Sequence, residues 1–376
     1  MKMIIAHHNL NERGGAERVV LKIAQHYDAK IYTAEYDRSG TYEEFKDLDV
    51  EAVKKGFVSG MLPYGRVSQG LHYGLSFYNL KIKEDYDVIN AHIAPSHWIR
   101  NKNEHVLWYV HTPLRDLYDL YQYRLSLKKS YQKPVHIIGT GAARILDQAV
   151  VKKIEGIVAN SENTKSRVLK YYKRDSKVLG GGIDYEDYEN GGDGKYFLYP
   201  SRISPNKRQE YAIDAFEIFK RRTKGYKLVL AGAVSKDKAY QDYYMKIKEL
   251  ARKVGDVKIV ANASDEMLKK LYSRSTAVLY TPINEDYGLV PLEGMASSKP
   301  VVSVNEGGPK ETIENGKTGF LVGSASDMAN TMRLLADNPS ISEKIGKTAR
   351  KSVIAEHSWK EFFRTFDKEL RKVGDS

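Results

Sequence analysis

The sequence predicts an α/β protein made of two doubly wound domains, each a parallel sheet with helices on both faces. Three observations carry this. Short β-branched runs alternate with longer amphipathic stretches along the first half of the chain, and such alternation implies right-handed strand–helix–strand units. The alternation breaks at Gly180-Gly181-Gly182 and Asn190-Gly191-Gly192-Asp193-Gly194, the clearest glycine clusters in the chain, and then restarts. The length, 376 residues, suits two domains of roughly 100–200 residues each.

Taken in order, Met3–Ala6 reads as the first strand and Ala16–Tyr27 as the first helix. Strands follow at Lys30–Thr33, Tyr86–Ala91, Val106–Tyr109, Gly156–Ala159 and Lys177–Leu179. The second series opens at Tyr196–Pro200 and continues through Leu228–Ala231, Val257–Ile259, Ala277–Tyr280 and Pro300–Ser303. Asn315-Gly316-Lys317-Thr318-Gly319 reads as a hairpin-type turn. Beyond Ser326 the chain reads as helical, and Ser358–Val373 sets Trp359, Phe362, Phe363, Phe366 and Leu370 at helical spacing.

Composition narrows the class. With 41% hydrophobic and 29% charged residues the chain folds around a core rather than staying disordered. It contains no cysteine, which removes disulfides, thiolate nucleophiles and Cys-ligated zinc. The net charge is +12, but the excess is spread: 28 basic against 21 acidic side chains up to residue 184, and 32 against 27 after it. A nucleic-acid footprint clusters on one element, so no nucleic acid is expected. Diffuse positive charge suits an anionic small ligand or an anionic membrane surface. Met1–Ala6 turns polar too soon for a signal peptide, and no run approaches the ~20 apolar residues of a spanning helix. A cytoplasmic protein is expected.

Strand-end loops carry the candidate chemistry. Asn11–Glu17 joins the first strand to the first helix; Gly14 and Gly15 let backbone approach a ligand, and the helix start offers free N–H groups. The run is neither G-x-G-x-x-G nor a P-loop. Ser201–Arg208 follows the first strand of the second domain, and there Arg202 and Lys207 can grip a diphosphate together. Thr281–Glu293 is the strongest segment. It places Glu285 on a loop, Tyr287-Gly288-Leu289-Val290 where backbone N–H groups face a ligand, and Glu293 in the first turns of a helix through Leu292–Ser297. From there Glu293 can accept from a ribose diol, and Glu285 can reach sugar hydroxyls. Asn305–Glu311 is another strand-end glycine turn lining the same mouth.

Together these motifs resemble those of the family-4 retaining glycosyltransferases of the GT-B fold, two Rossmann-like domains facing across a cleft. The resemblance runs over nearly the whole chain: Gly14-Gly15-Ala16-Glu17, Asn160-Ser161, Arg202 with Lys207, and Glu285-x7-Glu293. It implies an N-terminal acceptor domain over residues 1–184, with the terminal helix 358–374 crossing back onto it, and a donor domain over residues 195–357. It implies that Arg202 and Lys207 hold the donor diphosphate, Glu293 the ribose and Glu285 the transferred sugar, with Gly14 and Gly15 opposite. His111-Thr112-Pro113-Leu114-Arg115 is similar to a run in bacterial and archaeal mannosyltransferases, which implies GDP-mannose as donor. His111 would then position the sugar or stabilise positive charge through its backbone carbonyl.

The implied reaction moves a hexose from a nucleotide-sugar to a glycan or polyprenyl-linked acceptor, with retention. Two fixed cations take over a metal's role, so no metal and no other cofactor is expected. Leu114–Pro134 is dense in tyrosine and lysine (Tyr118, Tyr121, Tyr123, Lys128, Lys129, Tyr131, Lys133). Contact with an anionic membrane, at its inner face, is expected there. A nucleotide-sugar 2-epimerase on the same fold and a UDP-sugar-dependent transferase are the alternatives; the Glu285-x7-Glu293 spacing argues against the epimerase. Scattered charge argues against a non-enzymatic nucleic-acid or lipid binder. Intact acids and cations argue against a degenerate binding subunit.

Overall fold

The computed structural model describes residues 1–53, 66–126, 128–235 and 237–375. Among them the chain divides into two compact units, one of Met1–Gly180 together with the chain from Phe363 onward, the other of Gly181–Phe362.

The first unit is a seven-stranded parallel sheet. Its strands are β1 (Met3–His7), β2 (Lys30–Thr33), β3 (Val50–Ala52), β4 (Val88–His92), β5 (Val106–Val110), β6 (Gly156–Ala159) and β7 (Lys177–Val178), in the order β3-β2-β1-β4-β5-β6-β7. The helices are α1 (Gly15–Tyr27), α2 (Arg66–Asn79), α3 (Tyr121–Ser126), α4 (Lys133–Val151) and α5 (Glu162–Tyr172). β1, β4 and β5 are buried at every position, as a strand covered by helices on both faces must be. Ile4, Ala6, Trp98 and Trp108 centre the core on one face.

The second unit is a six-stranded parallel sheet of β8 (Tyr196–Pro200), β9 (Lys227–Gly232), β10 (Val257–Ala261), β11 (Ala277–Tyr280), β12 (Val301–Val304) and β13 (Gly319–Val322), ordered β10-β9-β8-β11-β12-β13. Its helices are α6 (Gln209–Lys220), α7 (Lys238–Val254), α8 (Asp265–Arg274), α9 (Leu289–Ala296), α10 (Pro309–Thr312), α11 (Ala325–Asp337) and α12 (Pro339–Glu356). Alternate residues serve opposite cores: Phe197, Tyr199, Leu228 and Leu230 on one face, Leu198, Val229 and Ala231 on the other.

The last helix, α13 (Trp359–Gly374), starts in the second unit and ends in the first. Within the first unit Phe363 stacks on His26 at 3.7 Å between ring centroids, and Asp367 accepts from the Tyr27 hydroxyl at 2.6 Å. Phe366 and Leu370 are fully buried.

Two strands escaped the sequence reading. β3 is three residues, Val-Glu-Ala, too short and too mixed to show a period. β13 was hidden behind the segment Asn315–Gly319, which is a turn but not a hairpin. A helix precedes it, Gly316 N donates to Gly319 O at 2.7 Å, and β13 lies parallel to β12. No helix among the described residues is long and apolar enough to cross a membrane.

Candidate functional site

β8, β11 and β12 are neighbours, and the strand order reverses between β8 and β11. The loops leaving their carboxyl ends therefore meet where a doubly wound sheet binds ligands. Lys207, on the β8 loop, donates from Nζ to Glu285 Oε2 at 2.7 Å and lies 5.8 Å from the centre of the Tyr280 ring. Arg208 pins the three loops together. Its Nε donates to Thr281 O at 2.6 Å, and its guanidinium pairs with Glu306 at 3.0 Å. Glu306 also accepts from Asn284 N at 3.3 Å, and Gly308 N donates to Glu285 O at 2.8 Å. Gly307 has φ +63, and a Cβ there would stand 2.3 Å from Glu285 O, so only glycine lets the β12 loop lie against the acid-bearing loop.

Gly288, at φ +90, caps α9 and lets the helix begin at Leu289, three residues before the expected start. Pro291 falls in the first turn, where a missing N–H is no loss. The first-turn N–H groups of Leu289 and Val290 have no acceptor within the helix. Glu293 consequently stands beyond the first turn, and the benefit of the helix end has largely faded there. Its partner is Tyr272, whose hydroxyl donates to Oε2 at 2.5 Å. Burial, then the Glu293 charge, holds that hydroxyl well above its usual pKa. Tyr287 is buried and its hydroxyl donates to Gly181 O at 3.1 Å, so only its backbone faces the loop. Arg202 sits on the exposed β8 loop, and its carbonyl accepts from Gln209 Nε2 at 2.8 Å.

In the first unit the strand order reverses between β1 and β4. Gly14 caps α1 and Gly15 is its first, exposed residue. A Cβ on Gly14 would come within 2.2 Å of Glu17 Oε2; its bareness makes room for that buried carboxylate. Glu17 Oε1 lies 3.3 Å from His7 Nε2. Burial opposes its ionisation, but the His7 hydrogen bond and charge outweigh burial and keep its pKa below the usual value.

His7 and His92 are register partners on β1 and β4, and His111 follows β5. His92 Nε2 is 2.5 Å from Asn90 Oδ1, and His92 Nδ1 is 3.0 Å from His111 Nε2. Asn90 Nδ2 donates to Leu107 O at 3.1 Å, which fixes the amide's orientation. The chain of donors then runs one way. His92 carries its proton on Nε2, His111 carries its own on Nε2, and His111 Nδ1 is left as an acceptor. Burial first, and His7 second, push the pKa of His111 down to about 3. Burial, then His111 and His7, drives His92 well below its usual value. His111 is a neutral imidazole at pH 7, so any support for positive charge comes from its carbonyl or its lone pair. That carbonyl accepts from Asn160 Nδ2 at 3.1 Å, while Ser161 caps α5 by accepting from Thr164 N at 3.0 Å. Arg115 and Arg167 both reach Asp119 Oδ2, at 3.1 and 2.7 Å, and brace the segment after His111.

Sequence reasoning missed His7, Asn90 and His92, and it gave Glu17 and Arg208, though inside its motifs, no role of their own. The available signal was the pair of polar residues two apart, hence on one strand face, inside Val88-Ile89-Asn90-Ala91-His92. Two Asp-x-Asp runs, Asp47-Leu48-Asp49 and Asp85-Tyr86-Asp87, precede β3 and β4 at their amino ends, away from the loops that build the site. Among the described residues no group of three or more His, Asp or Glu side chains is arranged to hold a metal ion. Of the tyrosines expected at a membrane, Tyr118 donates to the buried Asp147 at 2.8 Å and Tyr121 stacks on His136 at 6.0 Å; Tyr123 and Tyr131 are exposed.

Comparison with known proteins covers both units. The model for "Glycosyltransferase Family 4" matches residues 13–187, and that for "Glycosyl transferases group 1" matches residues 184–352. The chain is 29% identical to the α-1,3/1,6-mannosyltransferase ALG2 of Mus musculus, over 91% of this chain and 89% of that protein. It is 28% identical to the Homo sapiens ALG2, over 82% and 80%. Among solved structures, Anabaena HepE in complex with UDP-glucose is similar in fold, with a TM-score of 0.75 at 18% identity over 99% of this chain and 100% of that one.

Proposed function

We infer, from a chain that belongs to the family-4 glycosyltransferases of the GT-B fold, that it transfers mannose from GDP-mannose to a glycan or polyprenyl-linked acceptor. Retention of the anomeric configuration and independence of metal are part of the reading. Relatives named as mannosyltransferases, aligned over most of the chain, support the sugar. The observation that carries the donor site is the Lys207–Glu285 pair at 2.7 Å, on loops shared with the α9 start and Glu293.

The chemistry is a problem of charge. The bond from the sugar's anomeric carbon to the donor phosphate oxygen breaks, and a bond from that carbon to the acceptor oxygen forms on the same face. The acceptor proton passes to the leaving phosphate. The diphosphate gains negative charge as the sugar becomes cationic, and Lys207 and Arg202 would balance it. Loss of one such donor costs about 2.7–4 kcal/mol of barrier. The incoming diphosphate competes for Lys207 and frees Glu285 to take sugar hydroxyls. Glu293, held by the Tyr272 hydroxyl at 2.5 Å, takes the ribose diol. The reading puts the enzyme in the cytoplasm, at the inner face of the membrane that holds a lipid-linked acceptor.

The test is a thermal-shift panel of GDP, UDP, ADP and CMP, followed by transfer of labelled mannose from GDP-mannose to a polyprenyl-diphosphate oligosaccharide. Binding to the native state raises the melting point. GDP is expected to give the largest shift. No shift with any nucleotide would end the transferase reading, and a shift with UDP alone would move the donor to a UDP-sugar.

A further inference from the structure

The inward side of helix α4 is mixed: His136, Thr140 and Asp147 are buried there together with Val150 and Val151. Asp147 is fully buried and accepts from His97 Nε2 at 2.9 Å, Trp98 Nε1 at 2.7 Å and the Tyr118 hydroxyl at 2.8 Å. These three bonds fix how the helix is rotated. The outward side is apolar. Tyr131, just before the helix, is 72% exposed, Val135 75%, Ile138 73% and Ile145 73%, with Ala142 and Ala149 exposed in the same row. The spacing along this row alternates between four and three residues, a single stripe on one helix face. Ordinary packing puts isoleucine inward and aspartate outward; here the buried acid holds the reverse.

The surroundings say what covers the stripe. Between Leu120 and Lys153 the sequence has seven basic residues and one acid, and the acid is Asp147. Lys128, Lys129 and Lys133 stand at one end of the stripe and Lys152 and Lys153 at the other, and among the described residues no ion pair engages them. Exposed Tyr123 and Tyr131 lie at the lysine-rich start. A second copy laid along this helix, parallel or antiparallel, would set basic end against basic end. An apolar stripe with basic ends and tyrosines is the pattern of a helix lying in a lipid interface.

We propose that the outer face of α4 docks the protein on an anionic membrane, with Val135, Ile138 and Ile145 entering the headgroup–acyl boundary and the flanking lysines resting on acidic lipid. The helix is about 28 Å long at 1.5 Å per residue and lies flat rather than spanning. This deepens the reading of a lipid-linked acceptor and rests on it for its purpose. It also moves the contact from the tyrosines of Leu114–Pro134 to the stripe that follows them.

The experiment is flotation of the full chain with vesicles of phosphatidylcholine alone and of phosphatidylcholine mixed with phosphatidylglycerol, at low and high salt, without nucleotide. Binding to the mixed vesicles is expected, weakened by salt. The double variant Ile138→Asp with Ile145→Asp is expected to lose about tenfold or more of that binding at an unchanged melting temperature. The triple variant Lys128→Gln, Lys129→Gln, Lys133→Gln is expected to lose the salt dependence. Ile138→Trp provides a reading that needs no destabilising change: its emission is expected to shift to the blue on mixed vesicles. No flotation, flotation indifferent to the double variant, or a dimer in sedimentation equilibrium that the double variant dissociates, would each overturn the proposal. The GDP-induced thermal shift, measured without vesicles, reports on the donor reading alone, so either idea can fail while the other stands.

Discussion

His92 Nδ1 stands 3.0 Å from His111 Nε2, and Asn90 Oδ1 stands 2.5 Å from the other nitrogen of His92. One amide at the foot of this chain sets which nitrogen of His111 is an acceptor. Replacing Asn90 by Asp leaves an acceptor in place but brings a charge. Replacing His92 by Ala removes the relay. His92→Ala and His111→Ala are both expected to lower turnover by about ten- to a hundredfold while GDP affinity holds. An equal loss of turnover and affinity would mean the unit had been disrupted instead.

The same cluster predicts a pH dependence of stability. The pKa values of His8 and His111 are pushed to about 3, mainly by burial, and that of His92 lies well below its usual value. Unfolded, these histidines bind protons near pH 6.5; folded, His8 and His111 do not until about pH 3, and His92 only well below its usual value. The unfolded state therefore holds more protons in between, and stability falls as pH drops through that window. Each histidine contributes at most about 1.4 kcal/mol per pH unit. Melting temperature measured from pH 7.5 down to 4 is expected to fall, less steeply in His111→Asn. A flat profile would contradict the buried, neutral cluster.

Variants of Lys207 and Glu285 are expected to separate binding from transfer. Lys207→Ala is expected to weaken GDP binding and to lower kcat/KM by about a hundred- to a thousandfold. Glu285→Gln leaves the ammonium unpaired, so nucleotide affinity is expected to hold or rise while sugar transfer falls. Calorimetric GDP titration and labelled-sugar transfer read the two separately. Parallel losses in both variants would mean that the pair is only a brace.

Gly307→Ala tests the loop stack. At φ +63, with a Cβ aimed at the Glu285 carbonyl, alanine is expected to cost about 1–3 kcal/mol and to displace Glu285. A melting point that drops by several degrees together with lost transfer is the expected result. An unperturbed enzyme would show that the contact between these loops is dispensable.

The proposed role of Arg202 and Lys207 in balancing the leaving-group charge predicts an enzyme that needs no metal. Turnover is expected to be unchanged after dialysis against EDTA. A loss restored by Mg²⁺ or Mn²⁺ would assign the leaving-group charge to an ion instead of to Arg202 and Lys207.

The central strands were legible because each holds a short, largely apolar run and sits between helical stretches. Two edge strands were missed, although the edges β7 and β10 were read: β3 is only three mixed residues, and the short apolar run of β13 follows directly on a glycine turn that reads as a hairpin's. Lys207 and Glu285 could be singled out as candidates because charged residues at strand ends stand out. That Lys207 and Glu285 touch could not be read, because they are far apart in sequence and only the sheet order joins them. The start of α9 was placed three residues late, past Pro291, which the first turn of a helix accepts. Glu17 and Arg208 were in view, but their partners His7 and Glu306 lie across strands or loops. The outward face of α4 was hidden for a different reason: helical spacing alone does not say which side a buried aspartate will claim.

The shared helix α13 has a consequence for how the protein is made. Phe366 and Leu370, which complete the first unit's interior, are added only after the whole second unit has been translated. The first unit leaves the exit tunnel early yet waits, with part of its apolar interior uncovered, until the segment from Phe363 onward arrives. Nascent chains stalled before Phe363 should engage chaperones that longer ones do not.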